Sequence, residues 1–198
     1  MPSIFTNKSM VKTRCPSCKG KLTQGQRIHP ACIEDWAQEQ QAKAERKQAK
    51  AVKLAKSIEM KSDRAKAEAM KTKPELTKEA QTAFNAYIRA RDGGKPCICC
   101  GKPLAQSSVG GGFDAGHYRS VGSAPHLRFN EDNCHGQTKQ CNRWGAGRAV
   151  DYRIGLIERI GLARVEALES DNRPKLYTHD DLRAIRDSYK LKLKEMKK

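Results

Sequence analysis

Aromatic side chains are scarce in this sequence: 6% of 198 residues, within a hydrophobic fraction of only 37%. So little apolar bulk excludes a single large core and favours small modules held by metal and joined by exposed helix. Long apolar runs are missing too. No window approaches the roughly 20 apolar residues that span a bilayer. The opening Met1-Pro-Ser-Ile-Phe-Thr-Asn lacks the basic stretch and apolar run of a signal peptide. A cytoplasmic protein, neither exported nor membrane-bound, is therefore expected, and without export the eight cysteines read as metal ligands or free thiols rather than disulfides. Acids are in deficit: 22 Asp and Glu face 39 Lys and Arg, a formal charge of +17. That imbalance favours a polyanionic partner, nucleic acid first.

What is present falls into four regions. Residues 1–35 carry a first cysteine cluster. Residues 36–73 are almost all Ala, Lys, Gln and Glu, without Gly or Pro, and predict one exposed basic helix that Pro74 ends. Ala44, Ala51, Ile58 and Ala65 recur every seven residues there, but the matching d positions are apolar only at Leu54, so a solvated basic arm is expected over a coiled coil. Residues 74–150 hold the candidate site. They open on a predicted helix, 75–92, with Ala80, Ala83, Phe84, Tyr87 and Ile88 on one face and Gly93-Gly94 as its stop. Hairpin and loop should follow over 96–141, with a helix beginning near Cys141. Residues 151–198 predict a helical extension. Thr178 with Asp181 forms a capping-box signal for its last helix, and Lys190 to Lys198 should fray. The fold class expected is α+β, mostly helical, with no internal repeat.

Cys15-Pro-Ser-Cys18 followed by His29-Pro-Ala-Cys32 offers four soft or borderline donors in two pairs, the pattern of a closed structural zinc site. Cys97 and Cys100 form a second C-x2-C, and Cys141 supplies a third thiol. The fourth donor is open. Cys134 is the first choice, His135 its rival, Cys99 a strained third, and a water the remaining option, because Thr138 stands where a return C-x2-C pair needs cysteine.

Between these ligands lies a pattern with hydrolytic chemistry. His117 can act as a general base on water. Asn133, 16 residues on, can pin a hairpin loop. Asn142, directly after Cys141, and Asp114, before His117, can offer oxygen ligands to Mg2+ or Mn2+, although Asp114 can equally cap a turn and Asn142 a helix. Arg119, Arg128 and Arg143 flank these residues and can hold phosphate oxygens. This is the layout of a zinc-stapled HNH (ββα-metal) nuclease.

At these residues the sequence resembles the lambda NinG (Rap) family of phage recombination endonucleases. The likeness rests on Asp114-Ala-Gly-His117-Tyr118-Arg119, Ala124-Pro125, Leu127-Arg128-Phe129-Asn130-Glu131, Asn133, His135, Gln137 and Cys141-Asn142. It extends upstream through Phe84-Asn-Ala-Tyr87-Ile88-Arg89 and downstream through Tyr152-Arg153 and Leu156 to Gly161. Cys141-Asn142 is also similar to phage endonuclease VII. The resemblance implies Mg2+- or Mn2+-dependent cleavage of branched DNA, Holliday junctions and D-loops included, with His117 as base and Asn142 on the ion. Two departures stand out: Thr138 replaces a zinc cysteine, and Gly116 occupies the place of an acidic ligand. Cutting both strands of a four-way junction suits a homodimer. Two other readings remain: a non-catalytic zinc-dependent protein that binds branched DNA, and an HNH nicking enzyme acting on linear duplex.

Overall fold

In the computed structural model, which describes residues 13–105, 112–145 and 147–196, the chain divides after Ala69 into two units. The first contains the turn around Cys15 and Cys18, a 3-10 turn Pro30–Cys32 and helix α1, Ile33–Ala69. A run of Ala, Lys, Glu and Gln is strongly helix-forming, and Glu34 and Asp35 at the first turn with Lys66 at the last match the helix dipole. At 37 residues α1 is about 55 Å long and buries no side chain. Pro74 does not end it, contrary to expectation. The helix stops at Ala69, and Pro74 opens the next helix, where a missing N–H costs nothing. That helix, α2, spans Lys73–Asp92. Its Thr72–Glu75 capping box includes a 2.8 Å bond from the Thr72 N–H to the Glu75 carboxylate.

In the second unit α2 buries Leu76, Ala80, Ala83, Phe84 and Ile88. Strands β1 (Phe113–His117) and β2 (Cys134–Thr138) pair antiparallel, from Phe113 opposite Thr138 to His117 opposite Cys134. Helices α3 (Ala149–Ile160), α4 (Leu162–Ser170) and α5 (His179–Glu195) follow. The result is mostly helical α+β with one small sheet. α5 lies on α2: Leu182 and Tyr189 close the Phe84 core, the Tyr189 ring meets Phe84 edge-on at 4.9 Å, and Arg186 pairs with Glu79 at 2.8 Å. The capping box at Thr178 and Asp181 forms as the spacing predicts.

Three expectations need correction. Residues 151–198 are not an appendage, because residues 70–198 form one unit whose first core is completed by α5. No α-helix begins at Cys141; a single π-helical turn, Gln140–Trp144, stands there and α3 starts at Ala149. The lysine-rich end stays helical to Glu195, aided by a 2.6 Å pair between Lys192 and Glu131. A second core, built on Ile98, Leu127, Tyr152, Leu156, Val165 and Leu168, joins α3 and α4 to the Cys97 turn. Gly155 permits this contact, since a Cβ there would meet the Ile98 carbonyl oxygen at 1.9 Å. Among the described residues no helix is long and apolar enough to cross a membrane.

Candidate metal centres and active site

Cys15, Cys18, His29 and Cys32 bring their ligand atoms within 4.8 Å of one another. His29 Nε2 lies 3.1 Å from the Lys21 carbonyl oxygen. A carbonyl only accepts, so Nε2 carries the proton and Nδ1, 3.2 Å from Cys18 Sγ, offers its lone pair to the cluster. Against the upward push of burial, N–H groups of His29, Cys18 and Ser17 hold the Cys15 thiol down at about 6. Three sulfurs and one imidazole nitrogen fit tetrahedral zinc.

The second cluster contains Cys97, Cys100 and Cys141. A hydrogen bond from Cys99 lowers the Cys97 thiol; burial opposes it, the N–H groups of Thr138 and Cys100 assist it, and the thiol rests at about 3. Cys134 is not in the group. It lies at the far end of β2, about 13 Å along an extended strand from Thr138, with its side chain in the Phe84 core. Burial there pushes its thiol upward, away from the thiolate that zinc requires. His135 is not in the group either. Its Nδ1 accepts from Arg91 Nη2 at 3.0 Å and its Nε2–H donates to the Asp132 carbonyl at 3.1 Å. Both cysteine groups can hold zinc, the second through three protein thiols.

His117 ends β1. Its ring stacks on Phe84, centroids 6.1 Å apart, and its Nε2 lies 2.9 Å from the Arg128 carbonyl oxygen. Nε2 is therefore the protonated nitrogen and Nδ1 carries the free lone pair. Burial holds the imidazole below its ordinary range, against a smaller opposing pull from that carbonyl. Asn133 is fully buried and ties the loop between the strands: its Oδ1 accepts from the Arg119 N–H at 2.8 Å, and its Nδ2 donates to the carbonyls of Arg119 (3.0 Å) and Leu127 (3.2 Å).

Asp114 and Asn142 are brought together across 28 residues: Asn142 Nδ2 donates to Asp114 Oδ2 at 3.0 Å. Asn142 lies inside the π-helical turn and caps no α-helix. The Arg143 guanidinium forks onto the same carboxylate at 2.8 and 3.0 Å. Burial of Asp114 opposes this pull, yet Arg143 and Asn142 hold the carboxyl below its usual range. Gly116 lacks an acid for a steric reason: a Cβ would meet Gln137 Oε1 at 2.0 Å. Gln137 itself is buried, with Nε2 bonded to Cys99 Sγ and the Gly147 carbonyl. Along β1 the alternation puts Ala115 and His117 toward the Phe84 core and Asp114 on the other parity, so His117 and Asp114 stand about 10 Å apart by Cα.

The three arginines differ. Arg143 is exposed on Asp114. Arg128 reaches Gln81 at 3.4 Å. Arg119 is not free for phosphate. Its guanidinium closes the C-terminus of α4 through the carbonyls of Leu168 (2.8 Å) and Asp171 (2.6 Å) and Asn172 Oδ1 (2.9 Å), where a cation suits the helix dipole. Two features escaped the sequence reading. Asp92 is fully buried and accepts from Arg91 at 2.8 Å, Lys95 at 3.1 Å and the Gly136 N–H at 2.9 Å. Trp144, beside Asn142, is 84% exposed. Neither carries a spacing signal.

A family model described as Bacteriophage Lambda NinG protein matches residues 7–198. The chain belongs to the NinG family. It is 43% identical over 129 residues to protein ninG of Salmonella phage P22, covering 65% of this chain and 61% of that protein. Against protein ninG of Escherichia phage lambda the identity is 42%, with 65% and 61% covered; against that of Escherichia phage 933W it is 42%, with 65% and 62% covered. The matched stretch thus spans somewhat under two thirds of these NinG relatives. No solved structure matches.

Proposed function

We propose that this NinG-family chain is a Mg2+- or Mn2+-dependent endonuclease that cleaves branched DNA, Holliday junctions and D-loops among its substrates. The observation that carries the reading is the meeting of Asp114 and Asn142 at 3.0 Å three residues along the same strand from a neutral, anchored His117. A carboxylate and an amide oxygen suit a hard divalent ion: Asp114, and Asn142 with its amide turned to present the oxygen, would hold it, and it would supply charge stabilisation at the phosphate and leaving oxygen. His117 Nδ1 takes the proton from the attacking water. Its Nε2–H, held by the Arg128 carbonyl, fixes the tautomer. Asn133 keeps the loop carrying that carbonyl in place. Arg143 must swing from Asp114 to a phosphate oxygen, a move its exposure allows.

One observation favours the rival reading, a zinc-dependent protein that binds branched DNA without cutting it: Arg143 already satisfies both Asp114 oxygens. A single experiment separates the two. Purified protein is incubated with a labelled four-way junction and a matched linear duplex, with and without Mg2+ or Mn2+. Metal-dependent nicks confined to the junction are expected. Tight junction binding with no cleavage in either metal selects the binding protein, and equal cutting of the linear duplex selects a nicking enzyme.

A further inference from the structure

The two cysteine clusters are built to one plan, although no sequence repeat announces it. In the first, the Cys15 N–H donates to the Gly20 carbonyl at 2.8 Å and the Lys19 N–H to the Cys15 carbonyl at 3.0 Å. In the second, the Cys97 N–H donates to the Lys102 carbonyl at 2.8 Å and the Gly101 N–H to the Cys97 carbonyl at 3.1 Å. The residue after the second cysteine is left-handed in both: Lys19 at φ 63°, Gly101 at φ 68°. Isolated bridges close both turns, Arg14 with Lys21 and Pro96 with Pro103. Each cluster then receives its remaining donors from an x-x-x-Cys step leading into a helical turn, His29 to Cys32 in one and Thr138 to Cys141 in the other. Thr138 therefore occupies the place of His29.

A threonine hydroxyl is not among the side chains that bind zinc in proteins. Thr138 nevertheless sits at the site: its N–H donates to Cys97 Sγ at 3.3 Å, its Oγ1 is 3.8 Å from that sulfur, and it accepts from the Cys141 N–H at 3.3 Å. Cys99 lies beside the group and hydrogen-bonds to Cys97, but its sulfur is not among the three that converge: it accepts from Gln137 Nε2 at 2.9 Å and faces the Gly147 carbonyl at 3.7 Å. Cys134 is in the apolar core. Arg148 Nη1, 3.9 Å from Cys141 Sγ, offsets the net negative charge of three thiolates on one zinc.

We infer that the second centre is a three-thiolate zinc site whose fourth position, beside Thr138, belongs to an exchangeable water. The first centre is closed; the second is open to small exogenous donors and yields its metal sooner. This holds whether or not the protein cuts DNA, and its test does not read cleavage.

The test uses the full-length protein loaded with Zn2+ or Co2+. Zinc release to a colorimetric chelator should be biphasic, with one of two ions leaving in the fast phase. Imidazole added to the cobalt protein should shift the visible d–d bands. Thr138→Cys should remove the fast phase and add a further thiolate's charge-transfer intensity; Thr138→His should remove the fast phase and the imidazole response. Cys99→Ser and Cys134→Ser should leave the charge-transfer intensity unchanged. The inference is overturned by a single slow release phase, by cobalt bands indifferent to imidazole, by loss of intensity in Cys99→Ser or Cys134→Ser, or by uptake of only one metal ion. Chelator and imidazole titrations of the parent protein decide the matter even if the Thr138 variants fail to fold.

Discussion

At the scale of single residues, environment separates side chains that look alike on paper. His117 and His135 lie on strands of the same hairpin, the first half-buried and the second buried, and both are held below the ordinary histidine range chiefly by desolvation. Both ring nitrogens of His135 are engaged within the protein, whereas Nδ1 of His117 keeps its lone pair. His117→Ala should therefore lower cleavage by about 10²–10⁴-fold while junction binding and zinc content persist, as gel-shift and metal analysis would show. Because burial lowers the His117 pKa, the base stays neutral to more acid pH than an exposed histidine. The acid limb of the rate profile should lie below about 6.5; a limb at or above that value would remove His117 from the role. Asp92 illustrates the opposite sign of demand. Burial alone would raise its pKa, but the Arg91 guanidinium and the Gly136 N–H bring the carboxyl far below its usual range. A carboxylate depressed in the fold contributes stability that is present above the unfolded value, about 3.9, and is lost as pH falls through the folded one. Asp92→Ala leaves Arg91 and the Gly136 N–H without their partner and should cost roughly 3–5 kcal/mol, measured by chemical denaturation at pH 7.

At the scale of elements, periodicity was a good guide to α2 and α5 and a poor one to what lies between them. The apolar face of α2 is readable as Ala80, Ala83, Phe84, Tyr87 and Ile88; Tyr87 is half-buried against the core and the other four are buried. The turn at Cys141 is different. Its hydrogen bonding is π-helical, and this backbone form leaves no mark in side-chain spacing. α1 tests the composition argument directly. It buries no side chain, and residues 36–73 carry eleven Lys and Arg against five acids. Each phosphate it neutralises on duplex DNA adds about −0.9 to the slope of log K against log salt. Deleting residues 36–69 should flatten that slope and weaken linear and branched DNA alike, as fluorescence anisotropy over a salt series would report. Unchanged affinity and slope would make α1 a spacer.

At the scale of the whole molecule, the two units are stabilised differently. Among the described residues up to Ala69, Cys15 alone is buried, so a zinc held by the Cys15 group would be the organiser of that turn. The described residues from Met70 onward pack into apolar clusters around Phe84 and Tyr152, and Leu104 and Phe113 pack on the three-thiol centre. Removing zinc with a strong chelator should expose residues 13–32 to protease while residues 70–198 keep a cooperative thermal transition at a lower Tm. Simultaneous loss of both would show that the second centre, and not apolar packing, holds the larger unit.

The sequence by itself determined a basic, mostly helical chain with a long exposed arm, two cysteine groups with Cys15, Cys18, His29, Cys32, Cys97, Cys100 and Cys141 in them, and a likeness to the NinG family. These are matters of local spacing and composition, which short-range geometry converts directly into turns and helices. Only the tertiary structure decided which thiol stays out, because Cys134 and Thr138 both lie on one short strand and its direction sends one into the Phe84 core and the other to Cys97. It also decided that α5 completes the Phe84 core and pairs Arg186 with Glu79 across 107 residues, that Asp114 meets Asn142, and that Arg119 closes a helix rather than facing solvent. Each of these depends on side chains distant in the chain competing for the same space, and no local pattern encodes the outcome of that competition.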